Sequence, residues 1–275
     1  MTSQSSIAGI VARVAARLAP VTGVRAVALG GSRARGWHNP HSDVDIGLYY
    51  DGAAGLDVAA LNEAATALDD GHRADLATGP GGWGAWVDGG AWLRIEGVAV
   101  DLIYRDLARV DRAIAEAEHG EFQIAYHAGH PHGFVSTFYA AEIAVGAALH
   151  DPRGLMAARK ARLAPYPETL SRNATRRFLG EARFSLGLLE KAAHAGDPAY
   201  AAGVAFRIVA CLAHALFALN RQWLMNEKGA VRRVESFPLH PRDFAARVAE
   251  IFAAPGGDLA ALVSETAALA APPSC

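Results

Sequence analysis

The sequence predicts an α+β fold: a mixed β-sheet with flanking helices at the N-terminus, followed by an all-α helical bundle. Three observations carry that prediction. Short β-rich runs alternate with helical spacing up to Asp106, helical spacing alone follows it, and turn residues mark the joints between elements. Composition agrees, since 275 residues with 52% hydrophobic and 20% charged residues can build a sizeable core and exclude global disorder. The division is expected between Leu107 and Gly133, giving domains of residues 1–118 and 119–275.

Taken in order, Ile7, Ile10, Val11, Val14 and Leu18 recur at helical spacing, and Pro20 closes the run. Val24–Leu29 is a strand running into Gly30-Gly31, and Val44–Tyr50 is a second, entered from a polar loop at 38–43. Leu56–Leu68 reads as a helix. Glycine-rich 79–90, with Trp83 and Trp86, reads as a loop or plugged hairpin, and Glu96-Gly97 joins strands Ala91–Ile95 and Val98–Tyr104. Helices are then expected at 107–118, 133–149, 152–163, 168–195, 198–225, 241–252 and 258–270. Gly196 stops one of them, Asp197 caps the next, and Pro198 sits in its first turn.

The sharpest chemical feature lies between Val24 and Tyr50. Gly30-Gly31-Ser32 is followed by Asp43-Val44-Asp45. On a strand, residues two apart share a face, so Asp43 and Asp45 project together while Val44, Ile46 and Leu48 take the core side. Neighbouring carboxylates resist joint ionisation, and a divalent cation such as magnesium, which prefers oxygen ligands, removes that conflict. The glycines let backbone N–H groups approach an anion, and Ser32 adds a hydroxyl. Asp101, inside the apolar run 98–104, is costly unless paired or metal-bound. If its strand lies beside that of Asp43 and Asp45, three carboxylates and a phosphate cradle converge, an assembly suited to two-metal transfer at phosphorus.

These residues resemble the signature of the polymerase-β-like nucleotidyltransferase superfamily, over Val24–Asp106. The resemblance implies that Asp43, Asp45 and Asp101 hold two Mg2+ ions, with Asp101 also a candidate base for the acceptor. It implies that Gly31 and Ser32 hold the outer phosphates of ATP or another nucleoside triphosphate. The following helical bundle is similar to that of bacterial antibiotic adenylyltransferases, where it helps form the acceptor and nucleotide sites. Some relatives use a glutamate as base where this chain has Asp101.

The helical half offers weaker signals. Lys228, in Asn226-Glu227-Lys228-Gly229, is a candidate nucleotide-binding cation, weighed against a charged helix end. His127, His130 and His132 read as surface loop histidines, because nothing nearby in the sequence completes a metal set. Arg207 and His214 are seven apart; the spacing resembles the pair of a helical ribonuclease family, and structural residues are the favoured reading. Trp83, Trp86 and Trp92 could stack a nucleobase or acceptor, or pack the core.

Charge narrows the partners. The total of −2 lacks the basic excess of bulk nucleic-acid binding. Residues 1–106 carry eight basic and twelve acidic groups, net −4, whereas 107–275 are net +2. A polycationic acceptor needs uncompensated carboxylates, for which Glu142, Glu181 and Glu227 are candidates. Tyr200–Met225, the most apolar long stretch, is interrupted by Arg207, His214, Asn220 and Arg221, and Met1–Ser6 lack a signal-like charge. A cytoplasmic protein without a membrane partner is expected. Cys211 and Cys275 cannot form a disulfide scaffold. The long apolar helix faces would serve a homodimer as well as a bundle core. Three functions follow: transfer of a nucleoside monophosphate, AMP from ATP, to a small-molecule hydroxyl; the same transfer to a protein or RNA, as in toxin–antitoxin pairs; or a non-catalytic nucleotide-binding module.

Overall fold

The computed structural model describes residues 4–253 and 258–271, so Cys275 and the first residues of the polar start lie outside the described residues. The elements are α1 (Gln4–Leu18), β1 (Val24–Leu29), α2 (Gly31–Ala34), β2 (Val44–Tyr50), α3 (Val58–Leu68), β3 (Gly90–Ile95), β4 (Val98–Asp106) and α4 (Leu107–His119). There follow β5 (Ile124–His127), β6 (His130–Val135), α5 (Thr137–Val145), β7 (Ala147–His150), α6 (Leu155–Arg162), α7 (Glu168–Ala195) and α8 (Pro198–Leu219). The last are α9 (Ala230–Val234), α10 (Phe244–Ala253) and α11 (Leu259–Leu269).

Two compact units form: residues 1–115 with 139–164, and residues 116–138 with 165–275. The sheet of the first unit has the order β3-β4-β2-β1-β7, with β2 and β4 parallel and the other neighbours antiparallel. Alternation decides its faces. Val44, Ile46 and Leu48 are fully buried, as the sequence predicts, and so are Val100, Leu102 and Tyr104 of the adjoining strand. They pack with Ile10, Val14 and Leu18 of α1 and Leu61 of α3 into one core. Burying a Val, Leu or Ile side chain contributes about 1.5–3 kcal/mol, so this side of the sheet is committed to stability and chemistry is left to the other.

The expectation of helices only beyond Asp106 is corrected here. Residues 133–149 are not one helix but β6, α5 and β7, and β5–β6 is a hairpin. Ala147-Ala148-Leu149-His150 has little intrinsic strand preference; its pairing with Val27, Ala28 and Leu29 makes it a strand. That pairing returns 139–164 to the first unit. Arg159 of α6 strengthens the return by bonding both oxygens of Asp111 at 2.8 and 2.6 Å.

In the second unit, Gly196 is left-handed at φ 65° and ends α7, while Asp197 accepts from the Tyr200 amide and starts α8. α8 stops at Leu219 rather than Met225, because Asn220 bonds its own helix and the Leu239 backbone. α8 is long and apolar enough, by length and composition, to cross a membrane; 72% of that window is buried inside the fold.

Candidate active site

Parallel pairing of β2 and β4 sets Asp45 directly opposite Asp101. Paired residues on adjacent strands point to the same face, about 4.8 Å apart. Antiparallel β3 continues the row by setting Trp92 opposite Asp101. The face away from the core therefore presents Asp45, Asp101 and Trp92 side by side. Asp45 and Asp101 are half-buried, and Asp43, just before β2, is exposed.

The glycine turn is fastened to this row. Gly30 N–H donates to the Asp45 carbonyl at 2.8 Å. Gly31 has φ +59°, and a Cβ built there would lie 1.7 Å from Asp45 Oδ2. Any side chain there would be strained and would displace the Asp45 carboxylate. Ser32 follows within α2 and its carbonyl accepts from the Trp37 amide at 2.9 Å. Arg33 closes the arrangement: its Nε donates to the Asp43 carbonyl at 3.0 Å and its Nη2 to the Ser42 carbonyl. The loop itself is tied by Asn39 and Ser42, whose side chains accept from the His41 and Asn39 amides at 2.8 and 2.9 Å. The turn and the loop carrying Asp43 are thus held by one guanidinium.

Farther along the same face, Arg105 is opposite Tyr49. Glu142 of α5 grips Arg105 with two bonds, at 2.5 and 2.6 Å, and Tyr139 lies against the guanidinium. Burial pushes the Tyr49 hydroxyl up, reinforced by the charge of Glu142. This end is closed by packing, and the carboxylate end is left for chemistry.

Trp92 remains 60% exposed and stacks on Trp83, with centroids 4.3 Å apart and planes at 15°. Trp86 is half-buried, its carbonyl accepting from the Tyr139 hydroxyl.

Comparison with known proteins bears on this geometry. Residues 10–120 match the nucleotidyltransferase domain family. The first unit carries a nucleotidyltransferase domain of the polymerase-β-like superfamily. Residues 136–228 match a domain of unknown function, DUF4037. No curated protein matches the chain. A nucleotidyltransferase-like protein from Exiguobacterium sibiricum 255-15 is similar in structure at 10% identity and TM-score 0.40, over 90% of this chain and 68% of that one.

The nucleotidyltransferase domain thus brings Gly31, Asp45 and Asp101 together, with Ser32 and Asp43 in the adjoining turn and loop. Lys228 belongs to the second unit, where it is exposed and its amide donates to Asn226 Oδ1 at 2.9 Å. Glu142 and Glu181 are not uncompensated, since they engage Arg105 and Arg207, and Glu227 is hydrogen-bonded to His130. His214 is buried, stacked on Phe178 at 4.4 Å, whereas Arg207 is half exposed on Glu181, so the spacing of seven reflects two separate packing roles. The histidines are not all surface groups either. His127 pairs with His130 across β5–β6, and His132 is buried.

Sequence reasoning missed Arg33, whose value lies in a fold-back onto Ser42 and Asp43 that no local pattern announces. It named Trp92 without its pairing to Asp101, which depends on strand register. A concavity of the second unit, about 410 Å3, is lined by Phe122, Asn173, Arg176 and Arg177 among others and contains none of the predicted site residues.

Proposed function

We propose that this chain transfers a nucleoside monophosphate, AMP from ATP, to a hydroxyl of a small-molecule acceptor, with release of pyrophosphate and with magnesium as cofactor. The observation that carries the reading is the in-register pairing of Asp45 with Asp101 beneath a left-handed Gly31 where a Cβ would displace the Asp45 carboxylate. The donor set fits the ion: adjacent carboxylates on a half-buried face disfavour joint ionisation, and hard oxygen ligands suit magnesium. Asp43, Asp45 and Asp101 would hold it. Bound there, magnesium supplies neutralising charge for the transferred phosphoryl group and the departing pyrophosphate.

The chain's own groups do the rest. Gly31 keeps the backbone close to Asp45, and the Ser32 hydroxyl is a donor for a phosphate oxygen. Asp101 accepts the proton of the acceptor hydroxyl as its oxygen bonds to the α-phosphorus. The bond from that phosphorus to the bridging oxygen breaks, and pyrophosphate leaves with the electron pair. Exposed Trp92 offers a flat ring beside Asp101 on which an acceptor ring or nucleobase can stack. Pairing of Glu142 and Glu181 with Arg105 and Arg207 favours an acceptor other than a polycation.

The test is a screen of candidate acceptors with α-labelled ATP and magnesium, reading small-molecule and macromolecular products together. Labelled small molecules are expected; label appearing in protein or RNA instead would overturn the acceptor class. Asp45→Asn is expected to stop pyrophosphate release and leave the melting temperature within a few degrees of the parent. Full activity in that variant would refute the carboxylate assignment.

A further inference from the structure

We propose that the second unit binds a zinc ion on His132, Glu181 and Cys211, independently of the nucleotidyltransferase carboxylates. The three stand on β6, α7 and α8, and one ring nitrogen, one carboxylate oxygen and the Cys211 Sγ lie within 4.8 Å of one another. A second observation points to the same place. His132 is only 8% exposed, yet among the described residues neither of its ring nitrogens has a hydrogen-bond partner. Buried polar groups in native folds are ordinarily satisfied, and an imidazole lacking partners at both nitrogens calls for a ligand.

The surroundings fit a ligand set. Arg207 Nε donates to Glu181 Oε1 at 2.6 Å, which orients the carboxylate. Glu227 accepts from the His132 backbone amide at 3.1 Å and from His130 at 3.2 Å, fixing the strand that carries the imidazole.

One thiolate and one carboxylate offset the two charges of a divalent ion, while Arg207 on Glu181 and Glu227 on the His132 amide add one charge of each sign. The mixed nitrogen, oxygen and sulfur donors select zinc over magnesium. Zinc with bonds of about 2.0–2.3 Å spaces its ligands about 3.3–3.8 Å apart, so a contraction of about 1 Å joins the three. As the sulfur–zinc bond forms, the proton of the Cys211 thiol leaves to solvent. His214 Nε2, buried and without a partner, lies nearby, the two imidazole centroids being 5.3 Å apart. The ion would tie the β5–β6 hairpin to α7 and α8.

The test uses the full chain with Cys275→Ser, leaving Cys211 as the single thiol. Metal-free protein is titrated with cobalt(II) and then zinc. One equivalent of cobalt with a near-ultraviolet thiolate charge-transfer band is expected, with displacement by zinc and a melting temperature raised by several degrees. Cys211→Ser should abolish the band, and His132→Gln and Glu181→Gln should each weaken zinc binding by about 10–100-fold. Circular dichroism of each metal-free variant checks folding, and the titration of the Cys275→Ser chain decides the matter if a variant does not fold. Asp45→Asn should leave the band unchanged. Absence of band and thermal shift at micromolar metal, or undiminished zinc binding by folded Cys211→Ser, would overturn the proposal.

Discussion

Gly31 lies against Asp45 so closely that a Cβ on the glycine would fall 1.7 Å from Asp45 Oδ2. The turn and the carboxylate are therefore one mechanical unit. Gly31 also has φ +59°, a conformation that side-chain-bearing residues rarely adopt. Gly31→Ala should displace the Asp45 carboxylate and cut pyrophosphate release by about 100-fold or more, for a stability cost of about 1–3 kcal/mol. Paired activity and urea-unfolding measurements check this; a loss of stability with unchanged turnover would show that Asp45 need not stay in place.

Arg33 is a positioning residue. Its guanidinium reaches the carbonyls of Ser42 and Asp43 without touching a carboxylate. Arg33→Ala should free the loop, so that Asp43 is no longer held ready and more magnesium is needed for half-maximal activity, by about 10-fold. Arg33→Lys keeps the charge but loses the planar fork, so it should restore little of the loss. A magnesium titration of both variants separates this effect from a general loss of stability, which would not move the metal requirement.

Trp92 is the exposed member of the row Asp45, Asp101, Trp92. Stacking of a planar ligand is worth about 1–3 kcal/mol, so Trp92→Ala should raise KM for nucleotide or acceptor by about 5–150-fold with little change in kcat. Trp92→Phe should recover much of the affinity. Which of the two KM values moves tells which planar group uses the ring.

Much of this was legible in the sequence where one strand suffices to make the point. The alternation Val44-Asp45-Ile46 assigns the carboxylate to one face and core to the other, whatever the strand's neighbours. Capping at Asp197 and Gly196 is equally local. What pairing decides is harder to read. β7 is a strand because Ala148 meets Ala28 of β1, and its alanines gave no such signal. Trp92 belongs to the row only because β3 runs antiparallel to β4 in that register. His132, Glu181 and Cys211 are far apart in the chain, so the loop histidines looked incomplete until the fold brought partners from two helices.

Asp69 supplies a pH-dependent stability unrelated to catalysis. Its side chain is almost wholly buried at the end of α3, where it accepts from Arg73 at 2.7 and 2.9 Å and from the Arg94 amide of β3 at 2.9 Å. The Arg73 hydrogen bonds hold the carboxyl well below the usual carboxylate range; burial opposes them and loses. A carboxyl whose folded pKa is depressed binds fewer protons folded than unfolded. Its stabilisation is complete above about pH 4, the unfolded value, and is lost as the pH falls from there through the folded value. Urea unfolding between pH 5 and pH 2 should therefore show a steep acid limb for the parent. In Asp69→Asn that limb should be shallower, with lower stability at pH 7, because the amide cannot reproduce the charged bonds to Arg73. An acid limb of unchanged slope in Asp69→Asn would mean that another carboxylate governs acid unfolding.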